Sequence, residues 1–335
     1  MALKIAINGF GRIGRLVYRA ILENDDKDIN VVCINDLGPP NSNAHLLKFD
    51  TIHGILPHNV EVEGDYILVD HRPVKITAEK DPLKLPWEEL GVDIALECTG
   101  LFTSKTAASA HLNAGAKKVL ISAPASEADI TVVYGVNSDK LTPDHRIVSN
   151  ASCTTNCLAP VVHVLHEALG IERGFMTTIH SFTGDQRTVD TLHGDLHRAR
   201  TASVSMIPTS TGAARAVGLV LPELEGKIDG TSIRVPTPNV SVIDFKFVPT
   251  KATDIDSVND AIKDASEGKL KGILSTNELP LVSVDFNHNP HSSIFDLAET
   301  QVIESQFVRV MSWYDNEWGF SNRMIDTAKA MGNLL

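Results

Sequence analysis

The sequence contains few cysteines and fewer basic than acidic residues, and each of these features argues against certain classes of protein. Its four cysteines include no CxxC pair, which argues against the zinc-ribbon and thioredoxin patterns. Spread over 335 residues, they also form no disulfide framework, so we expect free thiols in a reducing compartment. Acidic residues outnumber basic ones 42 to 30, giving a net charge of −12, and the sequence has no basic stripe of the kind that nucleic-acid binding requires.

Long apolar runs, internal repeats and low-complexity segments are absent as well. No run approaches the ~18 residues that a membrane span needs. Residues 1–9 read as a strand and a glycine turn, which leaves no room for a signal peptide, so we expect a cytoplasmic protein without a membrane partner. Hydrophobic residues make up 43% of the chain, enough for a substantial core, and the length predicts two domains.

The pattern of predicted elements changes near residue 150. Before it, short apolar strands alternate with helical patterns, which predicts an α/β domain with a mostly parallel sheet over residues 1–150. After it, longer alternating strands, such as residues 239–247 and 306–313, predict an α+β domain with a mixed, largely antiparallel sheet over residues 151–316. Residues 317–335 should form a C-terminal helix that packs back on the first domain.

A glycine-rich hexapeptide, GFGRIG, begins at Gly9 and ends at Gly14. The motif alone is weak, but here it follows a predicted strand and opens a predicted helix, the context of a Rossmann-type dinucleotide site. Asp36 ends the second strand, where its carboxylate can bind a ribose 2′-hydroxyl and would repel a 2′-phosphate, so NAD is favoured over NADP. The alternative is a structural turn with a helix-capping aspartate.

Cys153 and His180 are the candidate catalytic pair. Cys153 lies at the predicted start of a helix, where backbone dipoles favour a thiolate. About 17 helical residues span roughly 25 Å, and the seven residues of the next strand span roughly 23 Å. A strand returning antiparallel to the helix would therefore bring His180 back beside Cys153, giving an activated nucleophile. Read singly, each residue could be structural. Cys157, one turn later, is interpreted as a structural thiol, and resolution of an oxidised Cys153 is the alternative.

An anion site is predicted where the segment IPTSTG, residues 207–212, meets a helix predicted from Ala213 to Val217. Arginine suits bidentate phosphate binding, and four arginines are candidates, although each one alone is more simply a surface charge: Arg198, Arg200, Arg215 and Arg234. The pairs His193/His197 and His288/His291 lack a third ligand, so we predict no metal site.

Several separated motifs resemble the phosphorylating glyceraldehyde-3-phosphate dehydrogenase family along essentially the whole chain. They are AINGFGRIGR (residues 6–15), SNASCTTN (149–156), TTIHS (177–181), STGAA (210–214), RVPTPN (234–239) and WYDNE (313–317). The resemblance implies a Rossmann-type NAD-binding domain followed by a catalytic domain. It also implies NAD-dependent oxidation of glyceraldehyde 3-phosphate to 1,3-bisphosphoglycerate, a step of glycolysis and gluconeogenesis, by a homotetramer in which residues 182–206 form a loop near the neighbouring subunit's cofactor.

The resemblance also implies individual roles. Cys153 attacks the aldehyde, His180 takes the proton, and inorganic phosphate releases the resulting thioester as an acyl phosphate. The implied cofactor residues are Gly9, Phe10, Gly11, Arg12, Ile13, Gly14, Asp36, Lys80, Thr99, Ser122 and Asn316, the last holding the nicotinamide carboxamide. The implied substrate and phosphate residues are Ser152, Thr154, Thr183, Asp185, Arg198, Thr211, Gly212 and Arg234.

Four departures from the family pattern keep alternatives open. Lys80 replaces an adenine-side arginine, and Leu192 replaces a proline common in NAD-specific members. Trp318 and the segment of residues 280–288 resemble erythrose-4-phosphate dehydrogenases, which makes that enzyme the alternative function. A non-catalytic nucleotide-sensing or RNA-binding protein is a further alternative, opposed by the intact Cys153/His180 pair and the acidic net charge. Retention of the STGAA turn favours glyceraldehyde 3-phosphate and phosphorolysis.

Overall fold

A computed structural model describes residues 2–335, and the chain divides into two compact units. Unit 1 comprises the chain through Val132 together with Ser138–Ala151 and Ser321–Leu335, whereas unit 2 comprises Val133–Asn137 and Ser152–Phe320. The C-terminal residues are therefore grouped with the N-terminal ones. Within unit 1, Lys329 near the C-terminus forms an ion pair of 2.5 Å with Asp26.

Unit 1 is built on a sheet of nine strands: β1 (Leu3–Asn8), β2 (Ile29–Asn35), β5 (Val60–Glu63), β6 (Tyr66–Val69), β7 (Arg72–Thr77), β8 (Ile94–Glu97), β9 (Lys118–Ile121), β10 (Ile130–Thr131) and β11 (Ile147–Ser149), while β3 (Phe49–Asp50) and β4 (Gly54–Ile55) form a separate pair. The strand order in the sheet is β10-β11-β9-β8-β1-β2-β7-β6-β5. The sheet is parallel except where β6 pairs antiparallel with β5 and β7. The helices are α1 (Arg12–Glu23), α2 (Pro40–Lys48), α3 (Trp87–Leu90) and α4 (Lys105–Asn113).

The central strands of this sheet are apolar because both of their faces are covered. Every residue of β8 and β9 is buried, as expected for parallel strands between layers of helices. The predicted Rossmann-type α/β fold is thereby confirmed, as is the hairpin at residues 60–69, in which Glu63 pairs with Tyr66 across the turn. The glycine turn between β1 and α1 is tight, because a Cβ on Gly14 would lie 2.1 Å from the carbonyl oxygen of Gly9.

Unit 2 contains a mixed sheet of seven strands: β12 (Ile171–Ser181), β13 (Ile207–Thr209), β14 (Ile228–Val235), β15 (Ser241–Pro249), β16 (Leu274–Asn277), β17 (Ser293–Ile303) and β18 (Phe307–Tyr314). Their order in the sheet is β13-β14-β12-β15-β18-β17-β16. Two of the pairings, β12 with β14 and β16 with β17, are parallel, and the others are antiparallel, which confirms the predicted α+β architecture. The helices are α5 (Cys153–Leu169), α6 (Val217–Val220) and α7 (Ile255–Glu267), and α8 (Trp318–Gly332) follows at the C-terminus.

Helix α5 has a well-defined beginning and end. Ser152 is its N-cap and accepts a hydrogen bond from the backbone N–H of Thr155. Gly170, with a φ of +72°, ends the helix and lets the chain reverse into β12. The 17 helical residues match the predicted length, so the return of the chain along the helix follows from two local signals.

The helix predicted over residues 213–217 is wrong. Hydrogen-bonded turns occupy this stretch, with the Ala216 N–H donating to the Gly212 carbonyl, and α6 begins only at Val217 and has four residues. Pro222 follows two residues after α6 ends. Because proline lacks an N–H and its ring clashes with the preceding turn, the helix cannot be extended.

A packing prediction follows from β14. A Cβ on Gly230 would lie 2.4 Å from the carbonyl oxygen of Met176 on the neighbouring strand β12. Gly230→Ala must therefore push two paired strands apart, and we expect it to lower the free energy of unfolding by about 3 kcal/mol. Thermal unfolding at matched protein concentration measures the loss. Gly194→Ala is the control, because a Cβ there meets no atom within 4 Å; equal midpoints for the two variants would contradict this account.

Candidate active site

Cys153 is the first residue of α5, and His180 lies one residue before the end of β12. The sulfur of Cys153 lies 3.5 Å from Nε2 of His180. The element lengths predicted this meeting, and the structure confirms it. A thiol within hydrogen-bond reach of an imidazole is the arrangement of an activated sulfur nucleophile.

The hydroxyl of Tyr314 fixes the separation between the helix and the strand that carry this pair. It is hydrogen-bonded at 2.9 Å to Oγ1 of Thr154, next to Cys153, and at 2.9 Å to Oγ1 of Thr178, two residues before His180. The tyrosine ring also meets the imidazole of His180 edge-on, with centroids 5.8 Å apart. Sequence reasoning assigned Tyr314 no role. The available signal was its place on the inward face of β18, where a buried tyrosine hydroxyl needs a partner.

Nδ1 of His180 has two close neighbours, the carbonyl oxygen of Ser181 and Nη1 of Arg234, each at 2.7 Å. One ring nitrogen cannot donate to a carbonyl and accept from a guanidinium at the same time. Only the tautomer with its proton on Nδ1, donated to Ser181, leaves Nε2 able to take the thiol proton. In that tautomer Nη1 of Arg234 donates to the same carbonyl, 3.2 Å away.

Burial and Arg234 together set the charge of the pair. Burial, and then the positive charge of Arg234, lower the pKa of His180 to about 3, so the imidazole is neutral near pH 7. Burial raises the pKa of the Cys153 thiol above its ordinary value, and Arg234 opposes that rise. The sequence predicted that the helix N-terminus would favour a thiolate, whereas burial acts in the opposite direction. With the pKa of the thiol raised and that of the imidazole lowered, the resting pair is thiol and imidazole.

Cys157 is a structural thiol in this structure. It is fully buried one turn into α5, its sulfur lies 3.4 Å from Oγ of Ser293, and burial raises its pKa to about 12. A thiol this hard to ionise is a poor nucleophile at neutral pH.

The turn at residues 210–213 lies against the N-terminus of α5. Oγ1 of Thr155 donates to the carbonyl of Ala213 at 3.2 Å, which brings Thr211 and Gly212 beside the helix that carries Cys153. Gly212 has open space where a Cβ would be, whereas Oγ1 of Thr211 accepts a hydrogen bond from the Ala213 N–H. Ser152 and Thr154, the two other predicted phosphate residues, use their hydroxyls for the helix cap and for Tyr314.

The remaining predicted substrate residues form a second polar group. Arg198 makes ion pairs with Asp185 and Asp195, and Thr183 is hydrogen-bonded to Gln186. Of the four candidate arginines, Arg234 alone contacts the catalytic pair directly. Arg200 pairs with Asp190 and Arg215 with Asp229, both of them exposed pairs outside the catalytic pair.

A cavity of about 510 Å³ opens in unit 1 at the carboxyl ends of the central strands. Five of the predicted cofactor residues line it: Gly9, Gly11, Asp36, Lys80 and Thr99. A Cβ on Gly11 would meet nothing within 4 Å, so the backbone there is open to a ligand. The Asp36 carboxylate accepts hydrogen bonds from the N–H groups of Phe10 and Gly38, and it stays partly exposed with lone pairs for a ribose. These features fit a dinucleotide.

Other predicted cofactor residues support the cavity or lie outside it. Arg12 is paired with Asp50, Ile13 is partly buried in α1, and the N–H of Ser122 donates to the carbonyl of Glu97. Asn316 belongs to unit 2, where its amide oxygen accepts hydrogen bonds from the hydroxyls of Ser181 and Ser241, both at 2.9 Å. Its amide nitrogen therefore stands as a donor.

Within residues 2–335, no three His, Cys, Asp or Glu side chains are grouped closely enough to hold a metal ion. None of the helices formed by those residues has the length and apolar character to cross a bilayer.

Comparison with known proteins agrees with both halves of the structure. The family model described as the NAD binding domain of glyceraldehyde 3-phosphate dehydrogenase matches residues 3–105, and the C-terminal domain model of the same enzyme matches residues 152–316. The chain is 66% identical to glyceraldehyde-3-phosphate dehydrogenase of Xanthobacter flavus over the full length of both proteins, and 62% identical to that of Cereibacter sphaeroides, again over both full lengths. It is 56% identical to the Geobacillus stearothermophilus enzyme over 98% of each chain. The chain belongs to the glyceraldehyde-3-phosphate dehydrogenase family.

Proposed function

We propose that this chain catalyses the NAD-dependent oxidative phosphorylation of D-glyceraldehyde 3-phosphate to 1,3-bisphosphoglycerate. The observation that carries the proposal is the Cys153–His180 pair at the N-terminus of α5, with the turn of residues 210–213 held against the same helix end. The pair supplies a nucleophile and a base, and the turn supplies donors for an anion beside the nucleophile.

The geometry of the pair determines the order of proton movements. As the Cys153 sulfur bonds to the aldehyde carbon, its proton passes to Nε2 of His180 and on to the new alkoxide, giving a thiohemiacetal. In the oxidation step His180 takes the hydroxyl proton back. The lowered pKa of the imidazolium makes the proton easy to release again, because burial and Arg234 both disfavour the charged ring.

NAD, when bound, supplies the acceptor for the hydride that leaves the thiohemiacetal carbon and so leaves a thioester on Cys153. Gly9, Gly11, Asp36 and Thr99 would hold it through backbone approach and ribose hydrogen bonds. Asn316, with its amide oxygen fixed by two serine hydroxyls, would donate its amide hydrogens to the carboxamide.

Inorganic phosphate then attacks the thioester carbonyl, the carbon–sulfur bond breaks, and the thiolate of Cys153 leaves. We assign one phosphate site to Ser152, Thr154, Thr211 and Gly212. We assign further phosphate recognition to Thr183, Asp185, Arg198 and Arg234, with Arg198 nearer the first site. The hydroxyls of Ser152 and Thr154 are already used, so we assign contact with phosphate to the backbone N–H groups at the helix end. Asp185 acts by orienting the guanidinium of Arg198.

Two sequence features that resemble erythrose-4-phosphate dehydrogenases are explained by packing. Trp318 is buried and stacks on His288, the last residue of the 280–288 segment, with ring centroids 3.7 Å apart. Neither supplies a group to the Cys153 pair. The comparisons with relatives do not favour that alternative.

The substrate assignment has a direct test. NADH formation should be fastest with glyceraldehyde 3-phosphate and should fall at least about 10-fold when phosphate is omitted, because the thioester then turns over only by hydrolysis. Erythrose 4-phosphate is the comparison substrate, and Cys153→Ser is the blank, since it keeps the fold but lacks the thiol. A higher kcat/KM for erythrose 4-phosphate, or a rate that is independent of phosphate, would refute the assignment.

The electrostatic role of Arg234 predicts a pH effect. Iodoacetamide alkylates the thiolate, so labelling of Cys153 rises as pH passes upward through the pKa of the thiol. Arg234→Gln removes the charge that lowers this pKa, and the rise in labelling should move to higher pH, with a rate at pH 7 at least about 3-fold below that of the parent. Arg200→Gln, which removes an exposed and paired arginine, is the matched control. Superimposable profiles for both variants would contradict the role.

Oligomeric state and compartment complete the proposal. The segment of residues 182–206 exposes five large apolar side chains: Val189, Leu192, Leu196, Val204 and Met206. Several exposed apolar side chains in one segment mark an interaction surface, whereas single scattered ones do not. We assign this segment to a subunit interface of a homotetramer. We also propose cofactor binding by residues 1–150, catalysis by residues 151–316, and a cytoplasmic location, which four free thiols support.

Sedimentation equilibrium tests the tetramer. Leu192 is 92% exposed, and Leu192→Asp would place a charge inside the proposed interface, so we expect this variant to dissociate at micromolar concentration while the parent stays tetrameric. Lys227→Asp, an exposed charge change outside the segment, is the control. A monomeric parent would refute the assignment outright.

A further inference from the structure

Glu97 ends β8 and is almost completely buried, with a relative exposure of 1%. Four donors surround its carboxylate. One oxygen accepts the N–H of Thr99 at 2.8 Å and also the hydroxyl of Thr99. The other oxygen lies 2.6 Å from Nδ2 of Asn8 and 2.8 Å from Nε2 of His111. The carboxylate therefore joins the ends of β1 and β8 to helix α4.

Each of these neighbours is committed to donating. Trp87 donates its indole N–H to Nδ1 of His111 at 3.0 Å, so the ring proton is on Nε2 and points to Glu97. Oδ1 of Asn8 accepts from Asn35, which turns the Asn8 amide nitrogen to Glu97. The Thr99 hydroxyl accepts from the Leu101 N–H, so its own hydrogen goes to the carboxylate. A group with only acceptors fits this position, and a carboxylate has only acceptors.

The same network extends along the sheet edge that forms the cofactor cavity. Asn35 accepts the hydroxyl of Thr77, so hydrogen-bonded side chains run across the ends of β7, β2, β1 and β8. Asn8, Asn35 and Thr99 also line the cavity. The backbone of Gly9 approaches Thr99 so closely that a Cβ on Gly9 would lie 2.7 Å from its nitrogen.

We propose that Glu97 is a positioning residue for the cofactor site, and this inference rests on the proposed NAD-dependent function. Its carboxylate holds the Thr99 backbone and the Gly9 turn in the conformation that binds the dinucleotide. Because it lies beneath the cavity wall and outside the Cys153 site, its loss should weaken cofactor binding and leave the chemical step unchanged.

Glu97→Gln tests the role. The glutamine keeps the size of the side chain, but its NH₂ group would face the donors of Asn8 and His111, leaving buried donors unpaired. We expect the Kd for NAD⁺, measured by calorimetry, and the KM for NAD⁺ to rise at least about 10-fold. The value of kcat at saturating NAD⁺ and the KM for the aldehyde should stay within about 2-fold. Glu63→Gln, an exposed glutamate of the same unit, is the control and should change neither constant.

A second substitution distinguishes positioning from general damage. In Glu97→Gln/Trp87→Phe the indole no longer fixes the His111 tautomer, so Nε2 can become an acceptor for the new amide. The double variant should bind NAD⁺ at least about 3-fold more tightly than Glu97→Gln alone, although Trp87→Phe by itself can only loosen the core. Additive losses would overturn the tautomer argument and with it the proposal.

Glu97→Asp provides a test if Glu97→Gln fails to fold. The aspartate keeps a group that only accepts hydrogen bonds, but its side chain is one methylene shorter and cannot reach all four donors, so the Kd for NAD⁺ should rise at least about 3-fold. Parent-like NAD⁺ affinity in a folded Glu97→Gln or in Glu97→Asp, or a fall in kcat without a change in NAD⁺ affinity, would overturn the inference. Failure of the parent protein to bind NAD⁺ would instead refute the proposed function.

Discussion

The chemistry of unit 2 depends on one hydroxyl. Tyr314 joins Thr154 at the start of α5 to Thr178 on β12, and these two residues are close to Cys153 and His180 in the sequence. Without the bridge, the helix end would lose the hydrogen bonds that tie it to the strand carrying His180, and small shifts between the two elements would follow. A proton transfer over 3.5 Å does not tolerate them. The buried tyrosine therefore fixes the distance between the Cys153 sulfur and the His180 imidazole.

The Cys153 and His180 side chains that are held at this distance are uncharged in the resting state. His180 is kept uncharged by burial and by Arg234, and the thiol of Cys153 is kept protonated by burial. A resting ion pair would have to be stabilised against the same low-dielectric surroundings. Proton transfer is therefore coupled to attack on the substrate, when the negative charge passes to an oxygen that donors can reach. Arg234 is suited to this order of events, because it disfavours the imidazolium and favours every negative charge that forms near the sulfur.

The sequence predicted those features that depend on local signals. The capping Ser152, the 17-residue apolar pattern of α5 and the turn at Gly170 predicted that His180 would return to Cys153, and it does. The helix over residues 213–217 was wrong because the backbone there forms hydrogen-bonded turns, and the Ala213 carbonyl accepts the hydroxyl of Thr155 on α5. The sequence could not predict that Nδ1 of His180 has two close polar neighbours. One of them, Arg234, is 54 positions later in the sequence, and only the fold brings it to the imidazole.

The role of Glu97 was also beyond what the sequence could predict. Glu97 directly follows the apolar residues of β8, but the sequence analysis assigned it no role. Its actual role lies in accepting from four donors, one of which is oriented by Trp87. Tyr314 in unit 2 and Glu97 in unit 1 both hold neighbouring elements together, but they use different kinds of hydrogen-bonding group. The tyrosine joins two elements with a hydroxyl that can both donate and accept, whereas the glutamate joins three with a group that can only accept. The position of Glu97 tolerates substitution less well than that of Tyr314, because no neutral side chain of that size can accept four hydrogen bonds without also presenting hydrogens to donors.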